Sequence, residues 1–333
     1  MAKIYFEGDG DLGLLEGKVV SILGYGNQGQ AQALNMRDSG GAVVIGNLRY
    51  ASFDRAVSDG FPTYDIAGAV SNADYHFLLV PDEVMPGVFD RDVRPGLKPG
   101  QAVIVSSGYN VAYDFISCPP GVDLLMIAPR TIGSGVRKTF LEGKGFPCLV
   151  SVEVDATGQA QAVLLALAKA MGSLRRCCIE SSCEEETLCD LFNEHSGGLY
   201  ALRRAYEMLV EAGCSPEAAM LEFWVSGEAA DVGEEIQARG LFGQLPLHSK
   251  TSQFGQQVTG RLTDEEEETE RRRLRKLIRH IKDGSFARDW SLEQQAGYPT
   301  FRRAYRENLE HPMVREEEKL LRTLGMWKGR AGE

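Results

Sequence analysis

The stretch KVVSILGYGNQGQAQAL, residues 18–34, joins a short apolar run to a segment of helical composition through three glycines. Gly24, Gly26 and Gly29 have the spacing GxGxxG, and a second apolar run, residues 42–47, follows about twenty residues later. The first glycine permits a tight turn, the second lets the backbone approach a pyrophosphate, and the third lets the helix pack on the strand. The pattern predicts a dinucleotide-binding turn, and a glycine turn without a ligand is the rarer alternative in this setting.

The residues around this turn are candidates for contact with the cofactor. Tyr25, Asn27 and Gln28 lie within it, where the N–H groups at a helix start face the phosphates. The second apolar run ends without the carboxylate that would bind a ribose 2′-hydroxyl. Arg49 and Ser52 follow instead and can hold a 2′-phosphate, which predicts NADPH. The alternative for Arg49 is a surface residue stacked on the adenine.

Further short runs rich in Val, Ile and Leu occupy residues 75–81, 101–107, 123–129 and 146–153. Their apolarity is continuous rather than alternating, as in strands of a parallel sheet that is covered by helices on both faces. Residues 1–182 are therefore predicted to form a Rossmann-type, doubly wound α/β domain.

The chain changes character after residue 182, where strong helix formers with helical spacing replace the strand-like runs. Ser215 and Pro216 predict a capped helix start. The charge run 264–276 is typical of a solvated helix face. An all-helical domain is predicted for residues 183–327, with a tail at 328–333.

Composition excludes several classes of protein. The 333 residues carry a net charge of −11, which argues against nucleic acid as the main partner. The seven cysteines form no zinc-binding or disulfide pattern, as expected in a reducing compartment. No signal-like start and no apolar run of membrane-spanning length is visible. We therefore expect a cytoplasmic protein without a membrane partner.

The segments LGYGNQGQAQA, LLVPDEV, MIAPR, EEETLCDLFNE and GSFARDW, in this order, resemble the short-chain form of ketol-acid reductoisomerase, also called acetohydroxyacid isomeroreductase. The resemblance covers roughly residues 3–327. It implies an NADPH domain followed by a knotted helical domain, a homodimer with shared active sites, and two Mg²⁺ ions. The implied reaction is an alkyl migration on a 2-hydroxy-2-acyl acid, followed by hydride transfer to the resulting ketone. Asp82, in LLVPDEV, becomes a candidate cofactor residue.

Two acidic residues of the helical part share one helix face, because Asp190 and Glu194 are four residues apart. The pair is either a solvated face or half of a metal site, and the resemblance places it on the first pair of the family's metal ligands. The second pair corresponds to Glu222 and Ser226, and serine is a poor ligand beside a carboxylate. We therefore expect Asp190, Glu194 and Glu222 to hold one Mg²⁺, or to act as polar and acid–base groups without metal.

Other positions also depart from the family pattern. Ser107 stands where the family has histidine, and Arg130 stands where it has lysine. Arginine cannot shuttle a proton, but its planar fork favours a carboxylate. Ser249 corresponds to a substrate-contacting serine, and the neighbouring His248 is a candidate acid or base. Ser107, Arg130, Asp190, Glu194 and Glu222 are the predicted catalytic residues, with Ser226, His248 and Ser249 at the substrate.

These departures predict an NADPH-dependent reductase on the family scaffold, which delivers hydride to a C=O or C=N group of a small carboxylate-bearing substrate. Its isomerase activity is expected to be altered or lost. Two alternatives stay open. One is a genuine ketol-acid reductoisomerase of branched-chain amino acid synthesis, and the other is a non-catalytic NADPH-binding relative.

Overall fold

The computed structural model describes residues Met1–Arg330 and divides into two compact units, of which the first is Met1–Leu191 and the second begins at Phe192. The predicted domain boundary after residue 182 falls directly before the helix Cys183–His195, which runs across this division. The predicted tail, 328–333, lies in part outside the described residues.

The first unit is organised around one sheet of nine strands. In chain order the strands are β1 (Ile4–Tyr5), β2 (Val19–Leu23), β3 (Ala42–Gly46), β4 (Thr63–Tyr64), β5 (Tyr75–Leu78), β6 (Ala102–Val105), β7 (Asp123–Pro129), β8 (Pro147–Val154) and β9 (Cys177–Glu180). Their spatial order is β1-β9-β8-β7-β6-β5-β2-β3-β4.

Most neighbouring strands of this sheet are parallel, as predicted. Two pairs are antiparallel, β7 with β8 and β1 with β9. The predicted strands coincide with β2, β3, β5, β6, β7 and β8, whereas the short strands β1, β4 and β9 were not predicted. The edge strands β1 and β4 have two residues each and the inner strand β9 has four, so none of them carries an apolar run long enough to read in the sequence.

Helices cover the sheet on both faces. They are α1 (Asn27–Asp38), α2 (Ala51–Ser58), α3 (Ile66–Ser71), α4 (Met85–Val88), α5 (Tyr109–Ala112), α6 (Gly133–Leu141) and α7 (Ala160–Met171), with α8 (Cys183–His195) at the end of the unit. Two large apolar clusters lie between the helices and the sheet. The central strands are buried along their length, which explains their continuous apolarity.

The second unit contains α-helices and no strand in the part of the chain that the structure describes. Its helices are α9 (Gly198–Glu211), α10 (Pro216–Met220), α11 (Glu228–Arg239), α12 (Lys250–Phe254), α13 (Asp264–Lys282), α14 (Ser285–Gln295), α15 (Pro299–Leu309) and α16 (Pro312–Thr323). A π-helical turn, Leu221–Val225, continues α10.

Three stretches of the second half that have helical spacing in the sequence are interrupted at glycines. Gly197, Gly227 and Gly284 have φ values of 97°, 86° and 75°, a left-handed conformation that glycine adopts without strain. The predicted cap is confirmed, since the Ser215 hydroxyl accepts a hydrogen bond from the backbone N–H of Ala218 at 3.3 Å. No helix among the described residues is long and apolar enough to cross a membrane.

Candidate active site

The glycine turn has the geometry that a pyrophosphate needs. Gly24 has a φ of 105°, and a Cβ atom there would lie 2.6 Å from the carbonyl oxygen of Leu79. A Cβ on Gly29 would lie 1.9 Å from the carbonyl oxygen of Gly24. A Cβ on Gly26 would meet no atom within 4 Å, so the space before the N-terminus of α1 is open. The residues therefore fit a dinucleotide whose phosphates face that helix.

The side chain of Asn47, directly after β3, forms hydrogen bonds that connect three segments around the cofactor turn. Asn47 accepts a hydrogen bond from the backbone N–H of Tyr25 at 3.3 Å and donates one to the Ser52 hydroxyl at 2.7 Å. The Ser52 oxygen is thus an acceptor here, which leaves its own hydrogen for a phosphate oxygen. The exposed guanidinium of Arg49 lies 5.4 Å from the ring centre of Phe53. A guanidinium and a hydroxyl therefore stand where the sequence predicts the 2′-phosphate contacts.

Two other residues of the turn are held by hydrogen bonds. The Tyr25 hydroxyl donates to Asp59 at 2.7 Å, and burial together with this bond raises the pKa of the tyrosine. The Gln28 amide donates to the carbonyl oxygen of Thr131 at 2.9 Å, which ties the start of α1 to the loop after β7. Asn27 is exposed at the same helix start. Tyr25 thus has a structural role beneath the turn, which the sequence did not predict.

Asp82 lies in the loop after β5 and is held by Asn110, whose amide donates to the carboxylate at 3.0 Å. Burial raises the pKa of Asp82 to about 6, an effect that the Asn110 hydrogen bond only partly opposes. Ser107, at the end of β6, lies near its own turn and its hydroxyl oxygen is 3.4 Å from the backbone N–H of Tyr109. Both residues belong to loops at the carboxyl ends of parallel strands, where such sheets place ligands.

Arg130 follows β7 and contacts two carboxylates of α8. One terminal nitrogen donates to Glu186 at 2.7 Å and the other donates to Asp190 at 3.0 Å. Glu186 is only 1% exposed, and its second oxygen accepts the backbone N–H of Gly108 at 2.7 Å. Burial raises the pKa of Glu186, whereas these two donors lower it. The structure thus brings Arg130 and Asp190 into direct contact and adds Glu186 as a third member of the cluster.

Sequence reasoning missed Glu186. A signal was present, because Glu186 precedes Asp190 by four residues and therefore shares its helix face. Its burial could not be read from the sequence, since it lies among other glutamates at the start of α8.

The other candidates belong to the second unit or to the end of α8. Glu194, Glu222, Ser226 and Ser249 are exposed in the single chain. The hydroxyls of Ser226 and Ser249 accept backbone N–H groups at or before helix starts. The His248 ring lies 2.8 Å from the Gln244 side-chain oxygen. The catalytic and substrate roles of these residues stay predictions.

Asp190, Glu194 and Glu222 offer the carboxylate oxygens that Mg²⁺ prefers. Among the described residues of one chain, no three His, Cys, Asp or Glu side chains gather as metal ligands. The resemblance implies a metal site that two copies of the chain share.

Two models of known protein families match this chain, one in its first part and one in its helical part. The family description "Acetohydroxy acid isomeroreductase, NADPH-binding domain" matches residues 14–177, and "Ketol-acid reductoisomerase, C-terminal domain" matches residues 183–326. This chain belongs to the ketol-acid reductoisomerase family. The predicted family and the predicted NADPH-dependent oxidoreductase are thereby confirmed.

Individual family members cover almost the whole chain. A putative ketol-acid reductoisomerase 3 from Saccharolobus solfataricus is 39% identical over 323 residues, 95% of this chain and 96% of the relative. A ketol-acid reductoisomerase (NADP(+)) from Methanothermobacter thermautotrophicus is 40% identical and covers 98% of this chain and 100% of its own. The solved structure of an NADH-preferring ketol-acid reductoisomerase from an uncultured archean has a TM-score of 0.88 at 31% identity, covering 98% of this chain and 100% of the other.

These similarities bear on the predicted loss of isomerase activity. They give no support to an altered or lost isomerase and favour the alternative, a genuine ketol-acid reductoisomerase. They confirm the Rossmann-type first part and the helical second part.

Proposed function

We propose that the chain catalyses the ketol-acid reductoisomerase reaction, an alkyl migration on a 2-hydroxy-2-acyl acid followed by reduction of the new ketone with NADPH. The observation that carries this proposal is full-length identity of about 40% to relatives that bear the name of this activity. The intact cofactor turn agrees with it, because hydride transfer requires the nicotinamide to be held in place.

The cofactor residues act by position. The backbone of Gly24, Gly26 and Gly29 admits the pyrophosphate, while Arg49 and Ser52 bind the 2′-phosphate and thereby favour NADPH over NADH. Asn47 orients the Ser52 hydroxyl through its 2.7 Å hydrogen bond. In the loop after β5, Asp82 would contact the nicotinamide end of the cofactor.

The acidic residues are proposed to hold Mg²⁺ in a homodimer. Asp190 and Glu194 of one copy would meet Glu222 of a second copy, with Ser226, His248 and Ser249 beside the substrate. A bound Mg²⁺ would polarise the oxygens of the substrate. A cytoplasmic location remains part of this proposal.

A specific observation favours a second candidate, a reductase that does not isomerise. Arg130 occupies two terminal nitrogens with Glu186 and Asp190, and Ser107 and Ser226 replace a titratable group and a carboxylate ligand of the family pattern. Alkyl migration needs a proton removed from the substrate hydroxyl, and neither a serine hydroxyl at position 107 nor an arginine guanidinium at position 130 is a general base. Hydride transfer alone makes no such demand.

Two substrates separate these candidates. NADPH oxidation is followed with 2-acetolactate and with its already isomerised form, 3-hydroxy-3-methyl-2-oxobutanoate, in the presence of Mg²⁺. A ketol-acid reductoisomerase consumes NADPH with both compounds, and a reductase without isomerase activity consumes it only with the second. If the protein binds NADPH but oxidises it with neither compound, the chain is either a non-catalytic relative or an enzyme for a different substrate.

A further inference from the structure

The guanidinium of Arg130 forms a fork between two carboxylates of α8. It donates to Glu186 at 2.7 Å and to Asp190 at 3.0 Å, and the Arg130 side chain is 30% exposed. Asp190 is the more accessible acid, with 43% of its side chain exposed. Asp190 is also the first of the carboxylates that the proposed function assigns to Mg²⁺.

The buried end of the fork fixes its position. Glu186 is 1% exposed and accepts the Gly108 N–H with one oxygen and Arg130 with the other. A buried carboxylate without a positive partner is strongly unfavourable, so Glu186 keeps the guanidinium in place. Arg130 therefore reaches Asp190 with little further loss of side-chain freedom, unlike a surface ion pair between two mobile side chains.

Arginine is needed for this arrangement. Its planar group presents separate N–H donors to two acceptors. The ammonium of a lysine is instead a compact charge, which would pair mainly with one of the two carboxylates. Arginine also stays protonated at any working pH, so no physiological change of pH removes the charge.

We infer that Arg130 is a built-in cation that competes with a divalent metal ion for Asp190. A metal that binds there must displace the guanidinium from the carboxylate and then lie near its positive charge. This inference rests on the proposed assignment of Asp190 as a metal ligand. It identifies Arg130 as a positioning residue that sets metal affinity, and it makes metal binding by this chain weaker than a lysine at the same position would.

The test measures Mn²⁺ affinity without substrate. Full-length, metal-free wild type, Arg130→Lys and Arg130→Gln are titrated with Mn²⁺, and free Mn²⁺ is followed by its electron paramagnetic resonance signal. We expect Arg130→Lys to bind Mn²⁺ about fivefold to tenfold more tightly than wild type, the scale of one partly exposed ion pair. Arg130→Gln is expected to tighten binding further, and adding Asp190→Asn to either variant is expected to abolish the gain.

Controls separate this effect from unfolding and from the reaction. Arg137→Gln removes a guanidinium that is paired with Asp38 in the same unit and should leave Mn²⁺ affinity unchanged. NADPH binding checks folding, and if Arg130→Gln does not fold, Arg130→Lys alone decides. Unchanged or weaker Mn²⁺ binding in the folded variants overturns the inference, as does a gain that survives Asp190→Asn. The proposed function is tested separately, because turnover of 2-acetolactate does not enter this measurement.

Discussion

The two units bury their apolar residues to very different extents. In the first unit, two large clusters of buried side chains fill the space between the sheet and the helices. In the second, the buried cluster among the described residues consists of Tyr206, Ala219, Met220 and Val225. A unit with so few buried apolar side chains gains little hydrophobic stabilisation by itself.

The helical unit instead exposes many large apolar side chains in the single chain. They include Leu199, Leu241, Phe242, Leu247, Phe254, Val258 and Leu262. Exposed apolar surface on this scale is typical of an interface. From this contrast we expect the cofactor turn to be complete in one chain, and the helical unit and the metal ligands that it carries to need a second copy.

The largest expected effect tests whether the first unit is complete. Gly29→Ala places a methyl group 1.9 Å from a backbone oxygen, so the backbone must shift. We expect a loss of about 2–4 kcal/mol in the free energy of unfolding, comparable to other overpacked sites, together with loss of NADPH binding. Thermal unfolding and fluorescence titration with NADPH measure the two effects.

A pair of matched variants separates folding from binding. Gly26→Ala adds a methyl group that meets no protein atom, so the fold should persist while NADPH binding weakens by tenfold or more. Gly87→Ala, also in open space but in α4, should change neither. Unchanged NADPH affinity in Gly26→Ala would show that the pyrophosphate does not approach this turn.

The next effect tests whether the second unit needs a partner. We expect the wild type to scatter light as a dimer at micromolar concentration. Leu199, which is 83% exposed at the start of α9, should lie in the interface, so Leu199→Asp should weaken the dimer by tenfold or more and lower the melting temperature. Val57→Asp, at a 54% exposed position of the first unit, should leave the dimer intact. A monomeric wild type would show that the helical unit does not need a second copy.

Cofactor choice is a smaller effect within the first unit. Arg49→Ala should lower NADPH affinity by about tenfold to a hundredfold, the scale of one charged hydrogen bond, while NADH affinity stays the same. Arg55→Ala, at an exposed position on α2, is the matched control. Equal losses for NADPH and NADH would instead support stacking of Arg49 on the adenine.

The smallest effect concerns Asp82, whose pKa is raised by burial from 3.8 to about 6. The unfolded chain releases this proton at a lower pH than the folded chain does, so stability falls as pH rises from about 4 to 6. Asp82→Asn should therefore raise the free energy of unfolding by about 1 kcal/mol at pH 7 and by much less at pH 4. Denaturant unfolding at both pH values measures this, with Glu83→Gln as an exposed control. A gain of equal size at both pH values would exclude the titration of Asp82 as its cause.

The sequence predicts the interior of the first unit better than its edges. The runs that became β2, β3, β5, β6, β7 and β8 are readable because a strand that is buried on both faces must be apolar throughout. The short strands β1, β4 and β9 escape prediction, since two to four residues give no clear apolar run and β1 pairs with β9, which is far from it in the sequence. The helix ends at Gly197, Gly227 and Gly284 escape it too, because a glycine within a helical pattern does not always end the helix.

The cofactor turn, the order of the two parts and the family can be read from the amino-acid sequence, because these depend on residues that are close together in the chain. The position of Arg130 between Glu186 and Asp190, and the hydrogen bond by which Asn47 orients Ser52, become visible in the folded chain alone. The fork of Arg130 joins the end of a strand to a helix that begins more than fifty residues later. Its geometry depends on long-range packing and on the burial of one carboxylate, and neither leaves a local pattern in the sequence.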